Sequence, residues 1–198
     1  MSPLHRTLLA LPLAALFLAS CASNSAQRFD VQEGAAKSWE AMAPYHPATA
    51  ICVLHGTTGN ERVQGTIRFT NVKGGVRVEA SIDGLTPGKH GMHVHEFGDV
   101  DCGDGKCTGG HFNPAGVDHG GPQAAVRHVG DLGNVVADDE GHAALDYIDD
   151  RISLDFAKRA CVVGRAIIVH SDADDLTSQP TGNAGGRVAA GVIGVGKE

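Results

Sequence analysis

Aromatic residues are scarce in this chain, basic charge is in deficit, and no apolar run is long enough to cross a bilayer. One Trp, two Tyr and six Phe among 198 residues, set beside 27 glycines, suit a β-protein with many tight turns. Sixteen Lys and Arg face 23 Asp and Glu, a formal net charge of −7. An acidic surface of this kind speaks against nucleic acid and anionic membrane surfaces as partners. The longest apolar stretch, Leu8 to Ala19, falls short of the ~20 residues a spanning helix needs, which argues against a transmembrane segment. No internal repeat is evident.

What stands at the amino end is a targeting pattern. His5 and Arg6 give a short polar, partly basic start, the apolar run follows, and Leu18-Ala19-Ser20-Cys21 closes it. Those four residues resemble the lipobox of bacterial lipoproteins. The resemblance implies a signal peptide over 1–20 and lipidation of Cys21. Residues 21–47, polar and interrupted by Pro44 and Pro47, read as a tether to a domain over 48–198. An ordinary signal peptide with a chance cysteine is the other reading, and both export the protein. The lipid form places it at the periplasmic face of a bacterial envelope membrane, anchored by its acyl chains. Cys52, Cys102, Cys107 and Cys161 then meet an oxidising compartment, which permits disulfides without fixing their pairing.

From Ala48 onward the grammar is β. Ala50-Ile51-Cys52-Val53-Leu54 reads as a buried strand. Val63, Gly65, Ile67 and Phe69 alternate with polar neighbours, and Val76 to Ile82 alternates again after the turn at Asn71–Gly75. Strands are also expected over Lys89–Glu96, Gly141–Ile148, Ala166–Val169 and Arg187–Val195. Residues 97–134 are glycine-rich with few apolar runs and read as one long loop, which in a small domain calls for a function. The fold class is all-β, an antiparallel sandwich or barrel.

Histidine supplies the function for that loop. His93-Val94-His95 places two imidazoles on one face of a strand, because side chains at i and i+2 point the same way. The loop adds His111, His119, His128 and Asp131, and a later strand ends in His170. Imidazole suits copper and zinc, and a carboxylate can complete a tetrahedral zinc set. Coordination could order irregular backbone that no core holds. His55, His90 and His142 lie near turns or strand ends and are expected to face solvent.

Several blocks are similar to copper/zinc superoxide dismutases. They are His93-Val94-His95-Glu96-Phe97-Gly98-Asp99, Gly110-His111-Phe112-Asn113-Pro114, His119-Gly120-Gly121-Pro122 and Arg127-His128-Val129-Gly130-Asp131-Leu132-Gly133-Asn134, with Gly164-Arg165 to His170 and Gly182-Asn183-Ala184-Gly185-Gly186-Arg187 to Gly194. The resemblance spans roughly residues 49–196. It implies a Greek-key barrel of about eight strands with long metal-binding loops, and dismutation of superoxide to oxygen and hydrogen peroxide. Copper would be held by His93, His95, His111 and His170. Zinc would be held by His111, His119, His128 and Asp131, with His111 shared and taking up and returning a proton. Asp174 would orient His93 and His119 through their far nitrogens, and Arg187 would attract and orient the anionic substrate. A non-catalytic copper-binding or copper-carrier protein of the same fold is the alternative. Such relatives usually lack the arginine or some ligands, whereas this sequence has all of them.

The chain also departs from the family. Its members normally join the loop to the last strand by a disulfide, but the position three residues after Arg187 is Ala190. The expectation is instead a local Cys102–Cys107 bridge, with Cys52 and Cys161 reduced. So small a closure is worth about 2 kcal/mol by loop entropy, against about 4–5 for the long bridge. Pro180 stands where a steering lysine is common. Because the loop disulfide shapes the dimer contact in the family, a homodimer is left open.

Overall fold

Alternation along each strand decides which side chains enter the core. In β1 (Thr49–Gly56) Ala50, Cys52 and Leu54 are buried while Val53 and His55 are exposed. In β2 (Gln64–Val72) Ile67 and Phe69 point inward, and in β3 (Gly75–Asp83) Val76, Val78, Ala80 and Ile82 do the same. The remaining strands are β4 (Gly88–His95), β5 (Asp131–Ala137), β6 (Ala143–Asp149), β7 (Ala166–His170) and β8 (Arg187–Val195). These elements come from a computed structural model that describes residues 46–197. The expected signal peptide, Cys21 and nearly all of the expected tether lie outside the described residues.

The eight strands close into an antiparallel barrel in the order β1-β2-β3-β6-β5-β4-β7-β8. β3 lies beside β6 and β4 beside β7, so two connections cross the barrel in Greek-key fashion. Closure gives every strand two neighbours, with β5 and β6 meeting at one pair, Ala137 with Ala143. The interior is apolar and mostly aliphatic, built on Leu54, Ile67, Phe69, Ile82, Met92, Leu132, Ile167 and Ile193. Each such side chain contributes about 1.5–3 kcal/mol on burial.

One strand escapes the sequence pattern. β5 begins inside the stretch expected to be loop, because Gly133 interrupts its apolar run with a φ of +82°. That left-handed conformation, which glycine adopts without a Cβ penalty, sits where the β4–β5 register shifts between Gly91 and His93.

β4 and β7 differ from the other strands in being buried on both faces. Met92 and Val94 enter the core, so His93 and His95 project from the opposite face. Ile167 and Val169 likewise pack in the core, leaving Ala166, Ile168 and His170 on the outer side. The long loop between β4 and β5 covers that outer face. It is pinned by Phe112 N to Val94 O at 2.8 Å and Val94 N to Gly130 O at 2.9 Å.

Candidate metal centre

Strand pairing does most of the assembly. His93 lies opposite Ile168 of β7 on one side and Asp131 of β5 on the other. An isolated antiparallel bridge sets His111 against His95, and His170 ends β7 opposite Arg187. The result is two buried groups, His93-His95-His111-His170 and His111-His119-His128-Asp131, whose donor atoms lie within 4.8 Å of one another in each. His111 belongs to both. The histidines and Asp131 that sequence reasoning singled out thus come together in space.

Which nitrogen faces inward is set by what the other one touches. His93 Nε2 donates to Asp174 Oδ2 at 2.8 Å, and His119 Nε2 donates to Asp174 Oδ1 at 2.9 Å. His95 Nδ1 donates to the Gly109 carbonyl at 2.9 Å, and His170 Nδ1 to that of Gly185 at 3.3 Å. In a neutral ring, each such acceptor leaves the opposite nitrogen with its lone pair. Four inward nitrogens of the first group are buried with no hydrogen-bond partner, His93 Nδ1, His95 Nε2, His111 Nε2 and His170 Nε2, whereas His119 Nδ1 lies 3.0 Å from Asp131 Oδ1. A buried polar atom without a partner costs about 1–3 kcal/mol. Four converging on one place fit a metal and fit a packed core poorly.

Asp131 organises the second group. Its Oδ1 lies 2.9 Å from His111 Nδ1 and 3.0 Å from both His119 Nδ1 and His128 Nδ1. Ligands of a tetrahedral ion with bonds of about 2.0–2.1 Å stand about 3.3 Å apart, so small outward shifts would admit zinc. Asp131 Oδ2 accepts the N–H groups of Gly120 and His128 at 3.1 and 2.8 Å.

Charge follows burial. Burial pushes His95, His111 and His170 down to about 2, 4 and 3, so these rings are neutral and can ligate at ordinary pH. Burial also opposes a charge on His119, but its bonds to Asp131 and Asp174 outweigh it and raise the group to about 9. An ion arriving there displaces a proton. Burial would raise both carboxyls; hydrogen bonds from His111, His119 and His128 to Asp131, and from His119 and His93 to Asp174, hold them well below the usual range.

Supports outside the two groups extend the network. Asn134 of β5 clasps the backbone of Asp174, donating to its carbonyl at 2.9 Å and accepting its N–H at 2.8 Å. A Cβ on Gly182, at φ +66°, would meet Asp174 Oδ1 at 1.8 Å, so that approach requires glycine. Arg127 is paired with Asp149 at 2.8 Å and donates to the carbonyls of His128 and Asp131 at 3.2 Å each. His90 corrects the expectation of a solvent-facing ring. It is 2% exposed, with Nδ1 2.7 Å from the His170 carbonyl and Nε2 2.8 Å from that of Thr86. A single polar residue beside a turn carries no sequence signal of such distant partners. His55 and His142 are exposed.

The bridge Cys102–Cys107 is present, with Cα atoms 5.8 Å apart, and Cys52 and Cys161 are free. Arg187 reaches across to this loop. Its Nη1 donates to Gly105 O at 2.6 Å and Thr108 Oγ1 at 2.8 Å, and its Nη2 to Gly109 O at 2.7 Å. Gly109 O is the carbonyl that also receives His95, so one atom separates the guanidinium from the first ligand group.

Asp174→Asn is expected to weaken both ions by roughly tenfold, since outer hydrogen-bond partners are worth that much and Asp174 serves one histidine of each group. Competition titration with a chelator measures both affinities. Loss confined to one ion would contradict the shared role.

The described residues compare well with known proteins. The family model for copper/zinc superoxide dismutase matches residues 63–193, a span containing both ligand groups and Arg187. The Cu-Zn superoxide dismutase of Paramecium bursaria Chlorella virus 1 is 46% identical over 161 residues, covering 77% of this chain and 81% of that protein. The extracellular Cu-Zn superoxide dismutase of Brugia pahangi is 45% identical over 159 residues, covering 75% of this chain and 76% of its own. Among solved structures, that of the clock protein EA4 aligns with a TM-score of 0.71 at 46% identity, covering 77% of this chain and 98% of that one.

Proposed function

Because the chain belongs to the copper/zinc superoxide dismutase family, we propose that its two histidine groups divide that family's work between them. The protein dismutates superoxide, with copper and zinc as cofactors. His93, His95, His111 and His170 hold copper, an all-imidazole set that suits it. His111, His119, His128 and Asp131 hold zinc, whose preference is a tetrahedral nitrogen and oxygen set. Bound copper supplies the reversible one-electron exchange the reaction needs, and zinc, redox-silent, supplies fixed positive charge.

One observation carries this division: the two nitrogens of His111 face different groups. Nδ1 is 2.9 Å from Asp131, while Nε2 is buried without a protein partner on the side of His93, His95 and His170. His111 Nε2 is therefore the atom at which a proton for peroxide can be held. Arg187 draws the anion toward that side, and the loop over β4 keeps bulk water from the ligands. Purified protein should contain one copper and one zinc per chain and show copper-dependent dismutase activity. Activity that survives full copper removal would end this reading.

The proposal extends to location. The apolar leader and the lipobox at Leu18 to Cys21 support export and acylation, and a disulfide such as Cys102–Cys107 persists in oxidising compartments. The protein then faces the periplasm, tethered through Cys21 to an envelope membrane. Cys21→Ser should move it from the detergent phase to the aqueous phase on Triton X-114 partition. Equal partition of the two forms would rule out the anchor.

A further inference from the structure

Arg187 depends on two attachments. Its backbone opens β8, and its side chain grips the loop containing Cys102–Cys107. No covalent bond joins these two elements, since that bridge is internal to the loop and residue 190 is alanine. Something else must keep them in register.

The turn after β1 touches both. Thr57, 6% exposed, donates its hydroxyl to the Arg187 carbonyl at 2.7 Å and its N–H to the Val188 carbonyl at 3.0 Å. Those bonds continue the β1–β8 ladder past its last pair, Gly56 with Ala189. Thr58 donates its N–H to the Gly103 carbonyl, inside the loop, at 2.7 Å. A Cβ on Gly103 would meet Thr58 Oγ1 at 2.4 Å, so backbone and side chain already pack closely there. Asn60 Nδ2 donates to Thr57 Oγ1 at 3.0 Å, which occupies the hydroxyl's acceptor side and leaves its proton to Arg187 O. Two adjacent residues thus hold the root of Arg187 and the loop its guanidinium reaches.

We propose that Thr57 and Thr58 form a positioning clamp for Arg187, fastening the disulfide loop to β8 by hydrogen bonds. The inference rests on the reading of Arg187 as the anion-capturing residue. None of the hydrogen bonds of Thr57 and Thr58 goes to a residue of either ligand group, so the clamp acts on anion capture and leaves metal content alone.

The test uses the copper- and zinc-loaded protein with azide, a small anion whose binding to Cu(II) is read by absorption. Thr57→Val, which removes the hydroxyl at nearly constant volume, should weaken azide by roughly three- to tenfold, the equivalent of one lost hydrogen bond. Thr57→Ser should stay within about twofold of the parent. Copper and zinc should remain stoichiometric in both. Thr57→Val combined with Arg187→Ala should bind azide no more weakly than Arg187→Ala alone, because the clamp acts through that side chain. Parent-like affinity in Thr57→Val, or fully additive losses in the double variant, would overturn the clamp. Parent-like affinity in Arg187→Ala would overturn the reading of Arg187 and the clamp with it. If Thr57→Val does not fold, Asn60→Ala frees the same hydroxyl and should weaken azide in the same direction; no change would count against the clamp.

Discussion

Replacing His170 with alanine is expected to empty the copper group while leaving zinc in place, and to lower dismutase activity by more than about 100-fold. The floor follows from comparison: removing an outer hydrogen-bond partner of a metal ligand already costs about 10–100-fold, and His170 is proposed as a direct ligand. Its Nε2 is one of the buried nitrogens without a protein partner, and it belongs to the all-imidazole group alone. The zinc group would keep its own contacts, His111, His119 and His128 around Asp131. The fold should persist, because β7 pairs with β4 and β8 through its backbone, and His90 holds the carbonyl of residue 170 rather than its ring. Metal analysis of the purified variant, with thermal denaturation beside it, checks each part. Joint loss of both ions would mean that the groups are not separable in the way their geometry implies.

The histidines were legible because metal chemistry leaves a local signature: an H-x-H on one strand face, and more imidazoles in a loop otherwise short of apolar residues. The barrel was legible through period-two alternation in β2 and β3 and through the apolar run of β1. β5 was not, because Gly133 breaks its alternation where the chain bulges. The local bridge was suggested by departure from the family, Ala190 standing where a partner cysteine is usual. What escaped were polar contacts between distant residues that lie outside the family's metal-site pattern. His90 meets the His170 carbonyl 80 positions away, and Thr57 meets that of Arg187 at a separation of 130. Neither has a pattern, since one hydrogen bond to a distant backbone oxygen constrains one residue and no period.

Arg187→Ala is expected to lower the second-order rate by about 10- to 100-fold with copper and zinc both retained. The substrate is an anion and the chain carries a net charge of −7, so diffusion toward the site is opposed by the average field. A local cation must reverse it, and such steering changes on-rates by about 10–10³, copper/zinc superoxide dismutases being themselves a standard illustration. The guanidinium is half-buried and one carbonyl removed from His95, where salt screens it less than a surface charge. The sign of the salt effect separates capture from chemistry: the parent rate should fall as ionic strength rises, and that of Arg187→Ala should be flat or rise as residual repulsion is screened. Alanine also releases Gly105 O, Thr108 Oγ1 and Gly109 O from their donor, so loosening of the loop must be told apart from loss of charge. Arg187→Lys does this, because an ammonium keeps the charge but cannot span three acceptors as a planar fork does. It should recover part of the rate and the parent's sign of salt dependence. A rate equal to the parent in Arg187→Ala, or a loss that tracks loss of copper, would show that this arginine neither captures nor orients superoxide.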